Sequence, residues 1–299
     1  MIKIVLAGSF NLTEDQKMRL NAVGDVVEES NLNNDEEWLT AVKDADIICS
    51  DGSYLFKNLN NLNNVLATYP YTELGSFNSA ELESKGVYVA NARGGNRKSI
   101  VEWGIFMTLS LYRKLPDFLR TSTQYPFTST ESLEGKKVVI VGHGTIGTEF
   151  GERYKAFGMN VAYFERGEDL RAKVADADLV VNALNCNNST MNLLNTDFFA
   201  SMKKGSRYLT FSRPYTYDID GLITAINNGV IEGAAIDCDP EPLFDISNDF
   251  YKKCMSNEKI LVTPHVAGIT TQANKNGIEI MVNNVEMYLA GTPQNILKK

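Results

Sequence analysis

The chain has 299 residues, of which 43% are hydrophobic and 22% are charged, and its formal net charge is −8. This length and composition are typical of a globular protein with two domains or one large domain. The acidic balance argues against a nucleic-acid partner or an anionic membrane, because phosphate groups are bound by clustered Lys and Arg.

The first 95 residues predict a parallel α/β sheet, because strand-like and helical patterns alternate along them. Residues 1–8 are typical of a first strand and not of a signal peptide. No segment approaches the ~18 apolar residues of a membrane span. The predicted strands are 2–7, 25–27, 46–49, 65–68 and 87–90, with helices that include 14–23 and 36–43.

The four cysteines indicate a reducing compartment. Cys49, Cys186, Cys238 and Cys254 are widely separated and form no Cys-x-x-Cys pair of the kind found in zinc or redox sites. We therefore expect free thiols, no metal site and a cytoplasmic location.

Residues 99–115 predict a long helix. Ser99 and Glu102 fit a capping box, and Pro116 follows the predicted end. The segment is apolar around much of its circumference, so more than one neighbour must cover it. Such a helix is expected at a domain junction or a subunit contact.

A second α/β series follows and predicts another doubly wound parallel sheet. A closing helix at 271–289 is expected to pack back on the first domain. The predicted strands are 137–141, 160–164, 179–183, 206–211, 233–237 and 260–263.

The loop after the strand at 137–141 fits the dinucleotide pattern Gly-x-Gly-x-x-Gly. Gly142 permits the tight turn, Gly144 lets the backbone approach a pyrophosphate, and Gly147 lets helix and strand pack closely. Thr145 and Ile146 begin the next helix, whose N–H groups and dipole favour phosphate. A glycine-rich turn without a ligand is the alternative. The apolar face of this helix is predicted to comprise Ile146, Phe150, Tyr154 and Phe157.

The acid at the end of the next strand predicts NAD as the cofactor. Glu165 lies eighteen residues beyond Gly147, where a carboxylate accepts hydrogen bonds from ribose hydroxyls and repels a 2′-phosphate. Arg166 leaves NADP open, because its guanidinium can turn toward a phosphate. His143 is interpreted as a spectator that faces the solvent or the phosphates.

Three side chains that follow strands of the second series predict carbonyl reduction. His265 can donate the proton that an alkoxide needs, and Glu241 can hold the ring and raise its pKa. Arg213 can bind a substrate carboxylate with two parallel bonds. Each residue also has a non-catalytic alternative. Arg213 and Glu241 could be solvated surface charges, and His265 could be a structural histidine. Their combination beside a dinucleotide loop favours the chemistry.

The chain resembles the D-isomer-specific 2-hydroxyacid dehydrogenases over nearly its whole length. In that family the Arg binds the substrate carboxylate, the His is the acid or base paired with the Glu, and an Asp contacts the nicotinamide carboxamide. The matching residues here are Arg213, His265, Glu241 and Asp237. We also predict that Ser212, next to Arg213, contacts the cofactor. The shared motifs are the glycine loop with Phe157-Gly158-Met159, residues 202–205, Asn228-Gly229, residues 233–237, Glu241-Pro242-Leu243 and residues 263–268.

The resemblance implies a flavodoxin-like substrate domain, residues 1–97 with 269–299, and a Rossmann NAD-binding domain, residues 98–268. It also implies a homodimer to which the long helix contributes.

Three departures from the family pattern concern the substrate pocket and the catalytic acid. In the family, the backbone N–H groups of a small glycine loop hold the substrate carboxylate. Residues 69–75 replace that loop here; Pro70 has no backbone N–H to donate, and two tyrosines add bulk. Tyr71 and Thr72 are the predicted substrate contacts, with Tyr54 and Tyr69 as further candidates. Pro214 replaces the usual Gly after Arg213, and the spacing from Asp237 to Glu241 is one residue shorter than usual.

The resulting hypothesis is an enzyme that transfers hydride between NAD(H) and a small 2-oxo or D-2-hydroxy acid similar to glyoxylate, hydroxypyruvate or pyruvate. An NAD(H)-binding sensor or scaffold without turnover is the alternative, motivated by the altered loop. A third hypothesis, a substrate without a carboxylate, leaves Arg213 less well explained.

Overall fold

The computed structural model describes residues 1–52, 54–72, 77–120, 129–239 and 245–298. The strands are β1 (Lys3–Ala7), β2 (Asp25–Glu29), β3 (Ile47–Ser50), β4 (Val65–Thr68), β5 (Val87–Ala90), β6 (Lys137–Val141), β7 (Asn160–Phe164), β8 (Leu179–Asn182), β9 (Ser206–Thr210), β10 (Ile231–Cys238) and β11 (Ile260–Pro264). The helices are α1 (Glu14–Val23), α2 (Asp35–Val42), α3 (Leu55–Asn58), α4 (Ser79–Ser84), α5 (Arg97–Tyr112), α6 (Leu115–Arg120), α7 (Thr145–Ala156), α8 (Leu170–Val174), α9 (Thr196–Ser201), α10 (Ile219–Asn227), α11 (Asp249–Met255) and α12 (Thr271–Leu289).

The chain forms two compact units, one of residues 1–96 with 270–299 and one of residues 97–269. The first unit contains a parallel sheet in the order β2-β1-β3-β4-β5. Alternate residues of β1 enter different clusters, Val5 and Ala7 in one and Ile4 and Leu6 in the other. Both faces of the sheet are therefore covered, which confirms the predicted flavodoxin-like, doubly wound fold.

The second unit contains a parallel sheet in the order β11-β10-β9-β8-β6-β7. In β6, Val139 and Val141 face one core cluster and Val138 and Ile140 face the other. The chain runs outward from β6 to β7 and then returns to the other side of β6 at β8. The order thus reverses between β6 and β8, and ligands of such sheets bind at the carboxyl ends of the strands beside that point.

The long helix differs from its predicted bounds. It begins at Arg97 and ends at Tyr112, so Ser99 lies inside the helix and does not cap it. Lys114 has a φ of 51°, a left-handed conformation that interrupts the helix. Pro116 then lies in the first turn of α6, where a proline has no hydrogen bond to lose.

The buried apolar face of α7 is also shorter than predicted. Phe150 and Tyr154 are fully buried, but the helix ends at Ala156 and Phe157 is 43% exposed. In the described part of the chain, none of the helices combines the length and the apolar composition that crossing a membrane requires.

The closing helix α12 packs within the first unit, against α1 and β4. Gly277 lies so close to the loop after β4 that an added Cβ would meet the carbonyl oxygen of Pro70. A backbone atom cannot move aside as a flexible side chain can. The glycine therefore sets the distance between α12 and the segment that leads to Tyr71 and Thr72.

Replacing Gly277 by Ala should lower the free energy of unfolding of the first unit by about 1–3 kcal/mol, since overpacking outweighs the better helix propensity of Ala. Denaturant unfolding followed by circular dichroism measures the change. Lys275, an exposed residue of the same helix, provides a matched control, and its replacement by Ala should change stability by less than about 0.5 kcal/mol. Equal stability of the two variants would show that α12 has room to shift.

Candidate active site

The glycine loop connects β6 to α7 at the switch point of the second sheet. Gly142 has a φ of 113°, and a Cβ there would meet the carbonyl oxygen of Ala183, which follows β8. A Cβ on Gly147 would meet the carbonyl oxygen of Gly142, so helix and strand touch through backbone. At Gly144, in contrast, a Cβ would have no atom within 4 Å. The loop is closed on the protein side and open where a ligand can approach.

The first turn of α7 fits the pyrophosphate of a dinucleotide. Gly144 is the N-cap and supplies no side-chain acceptor to the N–H groups of the first turn. Thr145 is exposed and Ile146 is partly buried. N–H groups without an intrahelical partner, at the positive end of the helix dipole, favour an anion.

The end of β7 contains an unexpected contact. Nδ1 of His143 lies 2.7 Å from Oε1 of Glu165, and the His143 ring stacks on Tyr163 with the ring centroids 3.8 Å apart. The imidazole is exposed, as predicted, and it also contacts the carboxylate that is predicted to bind the ribose, which the sequence did not indicate. Arg166 is exposed beside them.

Three polar side chains meet at the carboxyl ends of the adjacent strands β9, β10 and β11. Nη1 of Arg213 contacts Oδ2 of Asp239 directly, and Nδ1 of His265 lies 3.1 Å from Oδ1 of the same carboxylate. The Asp239 side chain is 3% exposed, whereas Arg213 and His265 are each 33% exposed. A buried carboxylate thus joins a guanidinium and an imidazole that both reach the surface.

These contacts shift the pKa values of Asp239 and His265. Burial acts to raise the pKa of Asp239, but the His265 contact and the Arg213 charge outweigh it and hold the pKa below its usual value. The Asp239 carboxylate in turn raises the pKa of His265 above its ordinary value, against the opposing effect of burial. The imidazolium is favoured, and the ring nitrogen opposite Nδ1 is the one available to donate a proton.

Asp237 holds the turn that carries His265. Its carboxylate accepts hydrogen bonds from the Thr263 hydroxyl at 2.5 Å and from the backbone N–H groups of Val266 at 2.9 Å and Ala267 at 2.8 Å. His265 has a φ of 58°, which is strained for a residue with a side chain. The carboxylate therefore stabilises a backbone conformation that directs the imidazole.

The remaining predicted residues occupy different environments. The Ser212 hydroxyl is buried and donates to the Asn182 carbonyl oxygen at 3.1 Å, which ties the end of β9 to the end of β8. Pro214 begins a 3₁₀ turn, Pro214–Thr216, where its ring is tolerated. Glu241 lies outside the described residues, as do residues 73–75 of the altered loop.

In the first unit, Tyr71 is exposed, and the Thr72 hydroxyl accepts a hydrogen bond from the Asn96 amide at 3.2 Å. The Asn91 amide donates to the Thr72 carbonyl oxygen at 3.1 Å. Tyr69 is 1% exposed and packs edge-on against Phe56, so it belongs to the core of the first unit.

The sequence interpretation missed Asp239, although a signal was present. Asp237 and Asp239 are two residues apart in an extended segment, where alternate side chains point to the same side. That period predicts that both carboxylates lie near the residues after β11.

The fold and the glycine loop define the second unit as a doubly wound dinucleotide-binding domain. Residues 105–267, just over half of the chain, match the model of the D-isomer specific 2-hydroxyacid dehydrogenase, NAD binding domain. The chain therefore belongs to the D-isomer-specific 2-hydroxyacid dehydrogenase family, and its cofactor is NAD, with NADP left open as predicted.

Two curated relatives are similar to the chain in sequence, and one solved structure is similar to it in fold. D-3-phosphoglycerate dehydrogenase of Haemophilus influenzae is 28% identical over 214 residues, 66% of this chain and 52% of its own. D-lactate dehydrogenase of Staphylococcus epidermidis is 28% identical over 218 residues, 64% of this chain and 66% of its own. The apo D-mandelate dehydrogenase of Rhodotorula graminis superposes with a TM-score of 0.85 at 19% identity, covering 100% of this chain and 98% of that one. The matches thus span less than two thirds of the length of these two curated relatives.

Proposed function

We propose that the chain transfers hydride between NAD(H) and a small 2-oxo acid or the matching D-2-hydroxy acid. The observation that carries this proposal is the cluster of Arg213, Asp239 and His265 at the edge of a sheet whose glycine loop fits a dinucleotide. Bound NADH supplies the hydride. The side chains of the chain bind the acid, orient its carbonyl and provide the proton.

Each member of the cluster has one role. Arg213 binds the substrate carboxylate and polarises the carbonyl, since a planar guanidinium can donate two parallel hydrogen bonds to a carboxylate. His265 donates its proton to the oxygen that becomes a hydroxyl and accepts it back in the reverse reaction. Asp239 holds the imidazole and keeps it protonated, the role that the family resemblance assigns to Glu241.

The substrate class follows from these groups. A carboxylate for Arg213 and an adjacent carbonyl for His265 describe a 2-oxo acid, with glyoxylate, hydroxypyruvate and pyruvate as the smallest candidates. Relatives named for D-lactate and D-3-phosphoglycerate support this class. Tyr71 and Thr72 are the proposed contacts of the substrate from the first unit, which we assign as the substrate domain.

The test is the steady-state oxidation of NADH and NADPH against a panel of 2-oxo acids, from glyoxylate to branched and aromatic members. We expect turnover with at least one small acid and a preference for NADH. Tight NADH binding without turnover on any acid would instead support a sensor or scaffold. Equally fast reduction of a substrate that lacks a carboxylate would contradict the proposed role of Arg213 in binding the substrate carboxylate.

We further propose a homodimer in which α5 contributes to the contact. Phe106 on this helix is 58% exposed, and Trp103, Ile105 and Leu109 are only partly buried. The exposed aromatic side chain of Phe106, beside apolar side chains that are not fully covered, supports a protein partner for this helix. Light scattering of the purified chain measures the assembly.

A further inference from the structure

His143 links two parts of the cofactor site that are separate in the sequence. It lies between Gly142 and Gly144 in the phosphate loop, whereas its partners Tyr163 and Glu165 lie at the end of β7. The ring planes of His143 and Tyr163 are inclined by 14°, so the imidazole lies flat on the phenol. Its Nδ1 then faces Oε1 of Glu165 at 2.7 Å.

This contact fixes a carboxylate that would otherwise move. The Glu165 side chain is 61% exposed, and an exposed glutamate samples several rotamers. An ionised carboxylate only accepts hydrogen bonds, so the hydrogen of this contact is on Nδ1 of His143. One carboxylate oxygen is then held by the imidazole, and the orientation of the other is set.

The Tyr163 ring, on which His143 stacks, is itself held by packing against α7. The hydroxyl of Tyr163 occupies the position that a Cβ on Gly151 would take, so the glycine in α7 lets the phenol lie against the helix. A chain of contacts therefore runs from Gly151 through Tyr163 and His143 to Glu165. Packing in the second unit in this way determines where the carboxylate points.

A second carboxylate, that of Glu168, lies in the turn after β7 and is paired with Lys173. Oε2 of Glu168 accepts a hydrogen bond from the backbone N–H of Glu165 at 2.8 Å, and Oε1 accepts one from Lys173 at 2.7 Å. Glu168 thus holds the backbone of Glu165 and His143 holds its carboxylate, while the guanidinium of the adjacent Arg166 is exposed. The fixed Glu165 carboxylate would repel a 2′-phosphate at this position. A mobile carboxylate could instead turn away from the phosphate and reduce the repulsion.

We propose that His143 is a specificity-determining residue of the cofactor site, which holds Glu165 in the orientation that accepts ribose hydroxyls and excludes the 2′-phosphate of NADP. The proposal rests on NAD binding by this domain. Because His143 acts through Glu165, its loss affects the choice between the two cofactors more than it affects the affinity for NADH.

The test is a fluorescence titration of the full chain with NADH and NADPH, which needs no turnover. In His143→Phe the ring that stacks on Tyr163 stays and the donor is lost. We expect the Kd for NADH to rise about three- to tenfold, the loss of one hydrogen bond. The ratio of the NADPH Kd to the NADH Kd should fall about tenfold or more. His143→Gln, whose amide can still donate to Glu165, should retain most of the ratio.

A double-mutant cycle with Glu165→Gln separates positioning from a merely structural role. If His143 acts through the carboxylate, adding His143→Phe to Glu165→Gln leaves the ratio unchanged. A ratio that is unaltered in His143→Phe alone, or that falls equally in both backgrounds, would overturn the proposal. Absence of NADH binding by the parent chain would overturn the cofactor site as well, so the two failures are distinguishable.

Discussion

Replacing His265 by Asn should reduce kcat for 2-oxo acid reduction by about 10³- to 10⁴-fold, because the proton donor of the cluster is lost. Asn is the suitable replacement, since it tolerates the positive φ of this position better than most residues do. The binding of NADH should remain, because the glycine loop and Glu165 are untouched. Steady-state rates and fluorescence titration with NADH measure the two quantities.

Circular dichroism provides the control for folding of this variant. A rate within about tenfold of the parent chain, with the fold intact, would show that the proton comes from another group. A simultaneous loss of turnover and NADH binding would show that the turn held by Asp237 collapses, and would require the more conservative His265→Gln to be measured.

Replacing Asp239 by Asn should lower kcat/KM for reduction about 10²-fold at neutral pH. The side chain keeps its shape but loses the carboxylate, whose side-chain contact and then whose charge raise the pKa of His265. Reduction requires protonated His265, so the rate falls as pH rises through that pKa. In the variant the pKa is lower, and the fall in rate therefore moves to lower pH. Oxidation of the hydroxy acid requires the neutral ring and should show the opposite dependence.

Glu241→Gln is the matched comparison for this prediction, because the family resemblance assigns the same role to Glu241. If Asp239 is the partner of His265, the pH profile shifts in Asp239→Asn and changes little in Glu241→Gln. The reverse pattern would contradict the role of Asp239 and return the assignment to Glu241.

The sheets were predictable because buried parallel strands are short, continuous apolar runs bounded by glycines and polar residues. The predicted strands 65–68 and 137–141 agree with β4 and β6 to the residue. The bounds of α5 were not predictable, because the break depends on the left-handed conformation of Lys114, which no local pattern marks. The same holds for Phe157, whose exposure depends on where α7 ends.

The candidate site was predicted in part. The position of His265 after β11 follows from the strand pattern, and its neighbours after β9 and β10 follow from the order of the strands. The contact of Asp239 with both Arg213 and His265 depends on side-chain placement that motif spacing does not contain. The stacking of His143 on Tyr163 is likewise a contact between segments twenty residues apart.

The pKa of the His265 imidazole, measured by NMR titration, tests the proton-donor role most directly. The chain contains two histidines, so His143→Phe leaves a single imidazole signal to follow. If Asp239 holds His265 protonated, the pKa lies above its ordinary value of ~6.5 and falls in Asp239→Asn. A pKa at or below the ordinary value in the parent chain, unaltered by Asp239→Asn, would contradict the proposed catalytic cluster.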